Sequence, residues 1–181
     1  NRVPGTNNVM LYAAKREKEY YAQKQRFWDE AVNTKSFNQD NSKRNHNIVD
    51  VLDYFEENDT AYFVMEFLDG VPLNKYLKEK GGKLSVQEAA DIVLKIANAL
   101  ITVHEKGFVH RDISPDNIFM CKGGVVKLID FGAARFAENE DAQLSIILKP
   151  GYAPAEQYEK VNEQGPWTDI YALGATMYHL V

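Results

Sequence analysis

The stretch from His110 to Gly132 places the strongest constraint on the fold of this chain, because a polar loop runs directly into a predicted β-hairpin. The loop reads HRDISPDN, and two runs rich in apolar residues, NIFMC and VVKLID, then flank the turn sequence KGG. Two such runs around glycines predict a pair of antiparallel strands. The returning strand would bring Asp130 back beside the loop that contains Asp112 and Asn117.

These three side chains carry oxygen atoms that can accept a proton or bind a metal ion, and both abilities suit the transfer of a phosphoryl group. Such a transfer needs a group that orients or accepts the proton of the attacking hydroxyl, and cations that offset charge on the phosphate oxygens. Asp112 is a candidate for the first task. Asn117 and Asp130 are candidates to hold Mg²⁺, which prefers oxygen ligands.

The composition is that of an ordinary globular domain and excludes several classes of function. The chain has 181 residues, 45% of them hydrophobic and 26% charged, and its net charge of −5 argues against a nucleic-acid-binding surface. Cys121 is the only cysteine, so no intrachain disulfide can form, and we expect a reducing, cytoplasmic location. No apolar run approaches the roughly eighteen residues of a membrane-spanning helix.

The remaining patterns predict an α+β arrangement in two parts. Helix formers rich in Lys, Glu and Gln predict a helix over residues 9 to about 37. Runs rich in β-branched and aromatic residues predict antiparallel strands over residues 48–56 and 60–67, around the turn sequence ENDT. The sequence LDGVPL then interrupts the pattern, and we expect the boundary between the two parts there.

Helices dominate the predicted second part. A short helix within NKYLKEKGG is expected to close at Gly81 and Gly82. Ser85 and Glu88 form a predicted capping box at the start of a long buried helix, which we expect to end near Gly107. The chain stops within another apolar helical pattern that lacks a stop signal, so we expect a truncated domain.

The motifs in this order resemble those of the protein kinase family, and most closely the bacterial Ser/Thr kinases of the eukaryotic-like type. The resemblance implies that HRDISPDN is the catalytic loop, with Asp112 as base and Asn117 as a Mg²⁺ ligand. It implies that Asp130 binds Mg²⁺ in the triplet DFG. His110 is then a packed structural residue, and the expected substrates are ATP and a protein that carries a Ser or Thr hydroxyl.

The same resemblance extends to the nucleotide site. The segment AYFVMEFLDG is similar to the last strand and hinge of the smaller kinase lobe, with Met65 as gatekeeper and Glu66 and Leu68 presenting backbone groups to adenine. RFWDEA resembles the regulatory helix, in which Glu30 would pair with the ATP-binding lysine. Residues 1–68 would form a partial N-lobe of one helix and two strands.

Residues 69–181 would form an incomplete, mostly helical C-lobe that ends at the central helix. GYAPAEQY resembles the end of the activation loop, with Glu156 in the place of the family's Glu, although Ala155 replaces the motif's Pro. WTDIYALGATMY resembles the central helix, where Asp169 would anchor the backbone of the catalytic loop.

A regulatory role is also implied for two residues. Arg111 stands where the family's usual partner for an activation-loop phosphate lies. Ser145 is the only Ser or Thr between Gly132 and Gly151, and is therefore the candidate phosphorylation site. An exposed loop serine is the alternative interpretation of Ser145.

The chain departs from the kinase pattern at two places. Ser114 stands two residues after the predicted base, where most Ser/Thr kinases carry a lysine that neutralises the γ-phosphate. Lys149 is a candidate substitute, and an exposed loop lysine is the other interpretation. At the second place, no G-x-G-x-x-G motif occurs. Lys15 lies fifteen residues before Glu30, but the residues around it lack strand signals, which favours a linker lysine over the ATP-binding lysine.

Three functions therefore stay open at this point. The first is an active Ser/Thr kinase, of which this chain by itself would transfer phosphate slowly or not at all. The second is a pseudokinase that acts as a binding scaffold, which Ser114 and the missing glycine-rich loop would permit. The third is a small-molecule phosphotransferase of the same fold, against which Arg111, the DFG triplet and Glu156 argue.

Overall fold

The computed structural model describes residues 14–136, 149–159 and 163–181. Runs of short strands and runs of helices follow one another along these ranges, as expected for the predicted α+β class. In chain order the elements are α1 (Ala14–Phe37), β1 (Val51–Glu57), β2 (Thr60–Met65), β3 (Gly70–Pro72), α2 (Leu73–Glu79), α3 (Val86–Glu105), β4 (Phe108–Val109), β5 (Ile118–Cys121), β6 (Val126–Leu128), β7 (Arg135–Phe136), α4 (Glu156–Glu159) and α5 (Pro166–Leu180).

Helix α1 packs on the hairpin that β1 and β2 form. The turn residues Asn58 and Asp59 have φ angles of 53° and 58°, the left-handed conformation that a two-residue hairpin turn requires. The rings of Trp28 and Tyr54 meet edge to face, 4.9 Å between centroids, and join the helix to the sheet. The predicted helix and hairpin are thus confirmed over the described residues.

Helix α3 is the centre of the second part. Its apolar face is buried at spacings of three and four residues, by Ala89, Ile92, Ile96, Ala99, Leu100 and Val103. The hydroxyl of Ser85 accepts a hydrogen bond from the backbone N–H of Glu88 at 3.2 Å and caps the helix. The Glu88 carboxylate instead accepts a hydrogen bond from the Tyr76 hydroxyl at 2.7 Å. Only half of the predicted capping box therefore forms.

The predicted hairpin after the polar loop is present as β5 and β6, with Ile118 paired to Leu128. Gly123 and Gly124 make its turn with φ angles of 86° and 81°. Two further pairings were not predicted, because strands of two or three residues are too short to show a period. Strand β3, within the segment that interrupts the sequence pattern, pairs with β5, and β4 pairs with β7.

The two parts meet through backbone bonds and a shared core. Ile48 forms a parallel bridge with Leu128, whose carbonyl accepts the N–H of Val49 at 3.1 Å. Phe37 of α1 and Phe131 belong to the same buried cluster, with ring centroids 5.0 Å apart. Within the described ranges, no helix is long and apolar enough to cross a membrane.

Candidate active site

Asp169, in the first turn of α5, holds the start of the loop that contains Asp112. One carboxylate oxygen accepts the backbone N–H of His110 at 2.8 Å, and the other accepts that of Arg111 at 2.7 Å. The Asp169 side chain is fully buried and also lies 2.7 Å from Nε2 of His104. Arg111 has a φ of 72°, an uncommon backbone conformation for a residue other than glycine. The two hydrogen bonds to Asp169 therefore hold this conformation just before Asp112.

Asp112 and Asn117 are in direct contact. The carboxamide nitrogen of Asn117 donates to the backbone carbonyl of Asp112 at 2.8 Å and to its carboxylate Oδ2 at 2.7 Å. The other carboxylate oxygen, Oδ1, is buried and has no hydrogen-bond partner within the described ranges. A buried carboxylate oxygen without a donor is well suited to receive one from a substrate hydroxyl.

The hairpin brings Asp130 to the same place. The N–H of Ile129 donates to the carbonyl of Asn117 at 2.9 Å, so the next residue, Asp130, lies beside Asn117. Asp130 has a φ of 62°, and its Oδ1 accepts the backbone N–H of Gly132 at 3.2 Å. The structure thus brings together the three oxygen donors that the sequence singled out.

A cavity of about 620 Å³ opens between α1, the β1–β2 hairpin and the β5–β6 hairpin. Asp130 and Glu30 border it on one side, and Met65, Glu66 and Leu68 border it on another. The other lining residues are mainly apolar: Thr34, Val49, Val51, Phe63, Phe67, Phe119, Ile129 and Phe131. Apolar walls with a few polar groups suit a flat aromatic ligand.

The backbone of Glu66 can offer only its carbonyl to such a ligand. Its N–H donates to the Asp50 carbonyl at 3.0 Å. Its side chain is also committed, since Oε1 accepts the N–H of Asp50 at 2.8 Å and the ammonium of Lys127 at 2.6 Å. Lys127 is buried, and sequence patterns did not single it out, because its position in an apolar strand gives no sign of a partner 61 residues away.

Glu30 faces Asp130 and the backbone of Phe131. Burial, and after it the negative charge of Asp130, raise the pKa of Glu30 to about 7, against the lowering effect of a hydrogen bond from the Phe131 backbone. No Lys or Arg forms an ion pair with Glu30 in the part of the chain that the structure describes. The cationic partner that the kinase resemblance implies is therefore not supplied by those residues.

Lys15 does not fill that place. It lies in the first turn of α1, the helix that also carries Glu30. Fifteen residues along one α-helix correspond to about 22 Å, so the two residues lie far apart. The helical backbone agrees with the absence of strand signals around Lys15, and its interpretation as a linker residue stays a prediction.

His110 is a packed residue, as the resemblance implies. Its ring is fully buried with its centroid 4.8 Å from that of Phe131, and Nδ1 accepts the N–H of Asp112 at 3.3 Å. Burial lowers the pKa of His110, which keeps the ring neutral. The neutral imidazole orients the backbone at Asp112.

The segment after residue 149 is attached to the same loop. The Gln157 side chain donates to the Arg111 carbonyl at 2.8 Å, and Glu156 accepts a hydrogen bond from the Thr168 hydroxyl at 3.1 Å. Gln157 was not predicted, because a glutamine beside Glu156 carries no pattern that distinguishes it. Ser145, the predicted phosphorylation site, lies outside the described residues.

Ser114 is fully buried, and its hydroxyl accepts a hydrogen bond from the ammonium of Lys149 at 2.7 Å. The side chain that replaces the expected lysine is thus in contact with a lysine from another segment. The interpretation of Lys149 as a solvated loop residue is not what the structure shows.

The family described as "Protein kinase domain" matches residues 5–181. This chain belongs to the protein kinase family. A "Probable serine/threonine-protein kinase" of Clostridium perfringens is 36% identical over 138 residues, which are 76% of this chain and 20% of that protein. The "Serine/threonine-protein kinase PknA" of Mycobacterium tuberculosis is 36% identical over 140 residues, 74% of this chain and 32% of that protein.

A solved structure titled "PpkA-294 apo form" is similar to this kinase chain, with a TM-score of 0.78 and 34% sequence identity. The matched region covers 99% of this chain and 61% of the chain in that structure. The predicted kinase-like fold is thereby confirmed. This kinase chain spans between a fifth and a third of the length of the two curated relatives.

Proposed function

We propose that this chain forms the catalytic core of a Ser/Thr protein kinase, which transfers the γ-phosphoryl group of ATP to a hydroxyl of a protein substrate. The observation that carries the proposal is the contact between Asp112 and Asn117, which leaves the other carboxylate oxygen of Asp112 without a hydrogen-bond partner among the described residues. Similarity to Ser/Thr kinases of bacteria supports a protein rather than a small molecule as the phosphate acceptor.

In the proposed reaction, Oδ1 of Asp112 accepts the hydrogen bond of the attacking hydroxyl and orients its oxygen toward the γ-phosphorus. The new O–P bond forms as the bond between the γ-phosphorus and the bridging oxygen breaks, and ADP leaves with that electron pair. The hydroxyl proton passes to Asp112. Asn117 holds the carboxylate in position throughout, because its carboxamide nitrogen donates to Oδ2.

Asn117 and Asp130 are the residues that would hold Mg²⁺. The nitrogen of the Asn117 carboxamide is bound to Asp112, so its oxygen is the atom left for a metal. The described residues contain no cluster of three or more His, Cys, Asp or Glu that could hold a metal alone. Mg²⁺ usually takes one or two protein carboxylates and completes its shell with phosphate oxygens, so this donor set fits it. When bound, Mg²⁺ offsets negative charge on the phosphates.

The cavity is the proposed site for the nucleotide base. Met65 would limit its depth, and the Glu66 carbonyl and the backbone of Leu68 would meet the edge of adenine. Residues 1–68 would then belong to an N-lobe and residues 69–181 to a C-lobe. The single cysteine and the acidic net charge support a cytoplasmic protein that does not bind nucleic acid.

A scaffold without catalytic activity is the second candidate. Glu30 lacks a cationic partner in the described ranges, and Ser114 replaces a lysine that would contact phosphate. A protein of this kind would bind a partner, and ATP if at all, without turnover.

The test is Mg²⁺-dependent transfer from γ-labelled ATP to a generic protein substrate, with the protein as its gene encodes it. Asp112→Asn should reduce the rate by roughly 10²- to 10⁴-fold, the usual contribution of a positioned base, and leave ATP binding intact because both proposed Mg²⁺ ligands remain. Asp91→Asn, on the exposed side of α3, is the matched control. Undiminished transfer in Asp112→Asn would contradict the assigned role, and nucleotide binding without transfer in the unmodified protein would support the scaffold.

A further inference from the structure

The ammonium of Lys149 is fixed on the catalytic loop by two residues of that loop. It donates to the Ser114 hydroxyl at 2.7 Å and forms an ion pair with the Asp116 carboxylate. Asp116 in turn accepts a hydrogen bond from the Asn74 side chain of α2. The ammonium is therefore held by Ser114 and Asp116, and Asp116 is itself held by Asn74.

The backbone around Lys149 is also ordered by local contacts. Its carbonyl accepts the N–H groups of Tyr152 at 3.0 Å and Ala153 at 3.1 Å. Farther along the same segment, Gln157 is bound to the carbonyl of Arg111. Residues 149–157 are thus attached to the loop at both ends, and these contacts fix the position of the Lys149 ammonium.

Lys149 retains the capacity to bind an anion. A lysine ammonium has three N–H donors, and among the described residues two of them are taken, by Ser114 and Asp116. The Lys149 side chain is 29% exposed, so it is not closed off from an incoming ligand. The neighbouring loop carries the carboxylates of Asp112 and Asp116, so an incoming phosphate needs a cation there.

The Lys149 ammonium contacts the same short loop that contains the proposed base. Ser114 lies two residues after Asp112, and its carbonyl accepts the N–H of Asn117 at 3.0 Å. The Lys149 ammonium, through its contact with Ser114, therefore adjoins the short loop that contains both the proposed base and a proposed Mg²⁺ ligand.

We infer that Lys149 is a catalytic residue that binds the γ-phosphate of ATP, in place of the lysine that the loop lacks at Ser114. The inference rests on the proposed kinase function. Because Lys149 belongs to a different segment from Asp112, the phosphate site is complete only while residues 149–157 are attached to the loop. A purely structural role, in which Lys149 only secures that segment, is the alternative to be tested.

The first test compares the binding of Mg²⁺-ATP and Mg²⁺-ADP by calorimetry, with the protein as its gene encodes it. Lys149→Met removes the charge and keeps the length of the side chain. We expect its affinity for ATP to fall about tenfold or more, the typical loss for a charge-assisted hydrogen bond, while its affinity for ADP is unchanged. Unchanged ADP binding also shows that the variant is folded. Lys83→Met, at an exposed position before α3, is the control.

The second test measures phosphate transfer and its rescue by reciprocal exchange. Lys149→Met should lower kcat on the order of 10²-fold, as the loss of one transition-state donor does. The double variant Ser114→Lys with Lys149→Ser moves the charge to the loop and the hydroxyl to the segment, and should recover most of that loss. Lys149→Ser alone should not recover it.

The outcomes separate this inference from the proposed function. Equal losses for ATP and ADP, or none for either, in Lys149→Met would overturn the role of Lys149 whatever the turnover. An unmodified protein that binds ATP yet transfers nothing would remove the kinase function, and the ATP-to-ADP comparison would still decide whether Lys149 contacts the γ-phosphate. An unmodified protein that binds neither nucleotide would overturn both.

Discussion

The carboxamide nitrogen of Asn117 lies 2.7 Å from the carboxylate Oδ2 of Asp112, and this contact determines what both residues can do. It leaves Oδ1 of Asp112 without a hydrogen-bond partner among the described residues, and this is the oxygen that we propose accepts from a substrate hydroxyl. It also leaves the carboxamide oxygen of Asn117 as the atom that can bind a cation. One hydrogen bond therefore leaves one oxygen of each side chain for the two tasks that we propose.

Replacing Asn117 with Ala should impair both tasks at once. The carboxylate of Asp112 loses its donor, and the proposed Mg²⁺ site loses one of two protein ligands. We expect transfer to fall on the order of 10²-fold or more, and the Mg²⁺ concentration for half-maximal rate to rise. The measurement is the initial rate as a function of Mg²⁺ concentration. A variant with the original rate and the original Mg²⁺ requirement would show that Asn117 has neither role.

Asp169→Ala should destabilise the protein as well as lower its activity. The change leaves two backbone N–H groups, that of the buried His110 and that of the partly buried Arg111, without their acceptor. Each such loss costs about 1–3 kcal/mol, so the free energy of unfolding should fall by roughly 2–5 kcal/mol. Urea unfolding measures the change. Asp91→Asn is the control and should stay within about 0.5 kcal/mol; a similarly small effect in Asp169→Ala would contradict the anchoring role.

Glu30 should make stability decrease with pH in the absence of Mg²⁺ and nucleotide. Its pKa is raised from 4.5 to about 7 in the folded state. Between those values the unfolded chain has released a proton that the folded chain keeps, so the free energy of unfolding decreases as pH rises, by at most about 3 kcal/mol. Glu30→Gln cannot ionise, and we expect its stability to exceed that of the unmodified protein at pH 8 and to be similar at pH 4.5.

Urea unfolding at these two pH values tests the prediction. Glu79→Gln, at an exposed position of α2, is the control for general effects of charge. A Glu30→Gln variant whose stability changes with pH in parallel with the unmodified protein would show that Glu30 is not held in a protonated state.

Two glycines should respond in opposite directions to the same substitution. A methyl group at Gly70 would overlap the backbone carbonyl of Met120, so Gly70→Ala should disturb the pairing of β3 with β5 and cost about 1–3 kcal/mol. Gly174 lies within α5 and has nothing within 4 Å of an added methyl group. Gly174→Ala should therefore stabilise the protein by about 0.5–1 kcal/mol.

Thermal or urea unfolding of both variants gives the comparison. Similar effects of the two substitutions would contradict the close approach of β3 to β5.

Local patterns were sufficient for most elements of the fold. The hairpin turns at Asn58 and Gly123 and the long period of α3 depend on residues within a few positions of one another, so sequence analysis predicted them. The same patterns did not predict β3, β4 and β7, whose two or three residues become strands only when a distant partner supplies hydrogen bonds.

The candidate site divides in the same way. Asp112 and Asn117 are five positions apart in one loop, and their partnership is readable from spacing and motif. Asp169 reaches the loop across 59 positions and Lys149 reaches Ser114 across 35. Periodicity and spacing carry no information about such contacts, because they depend on how helices and segments pack in three dimensions. The sequence and its resemblance to a family were therefore enough to propose the reacting groups and to name Asp169 and Lys149 as candidates, whereas only the packing of the folded chain decided which atoms these side chains contact.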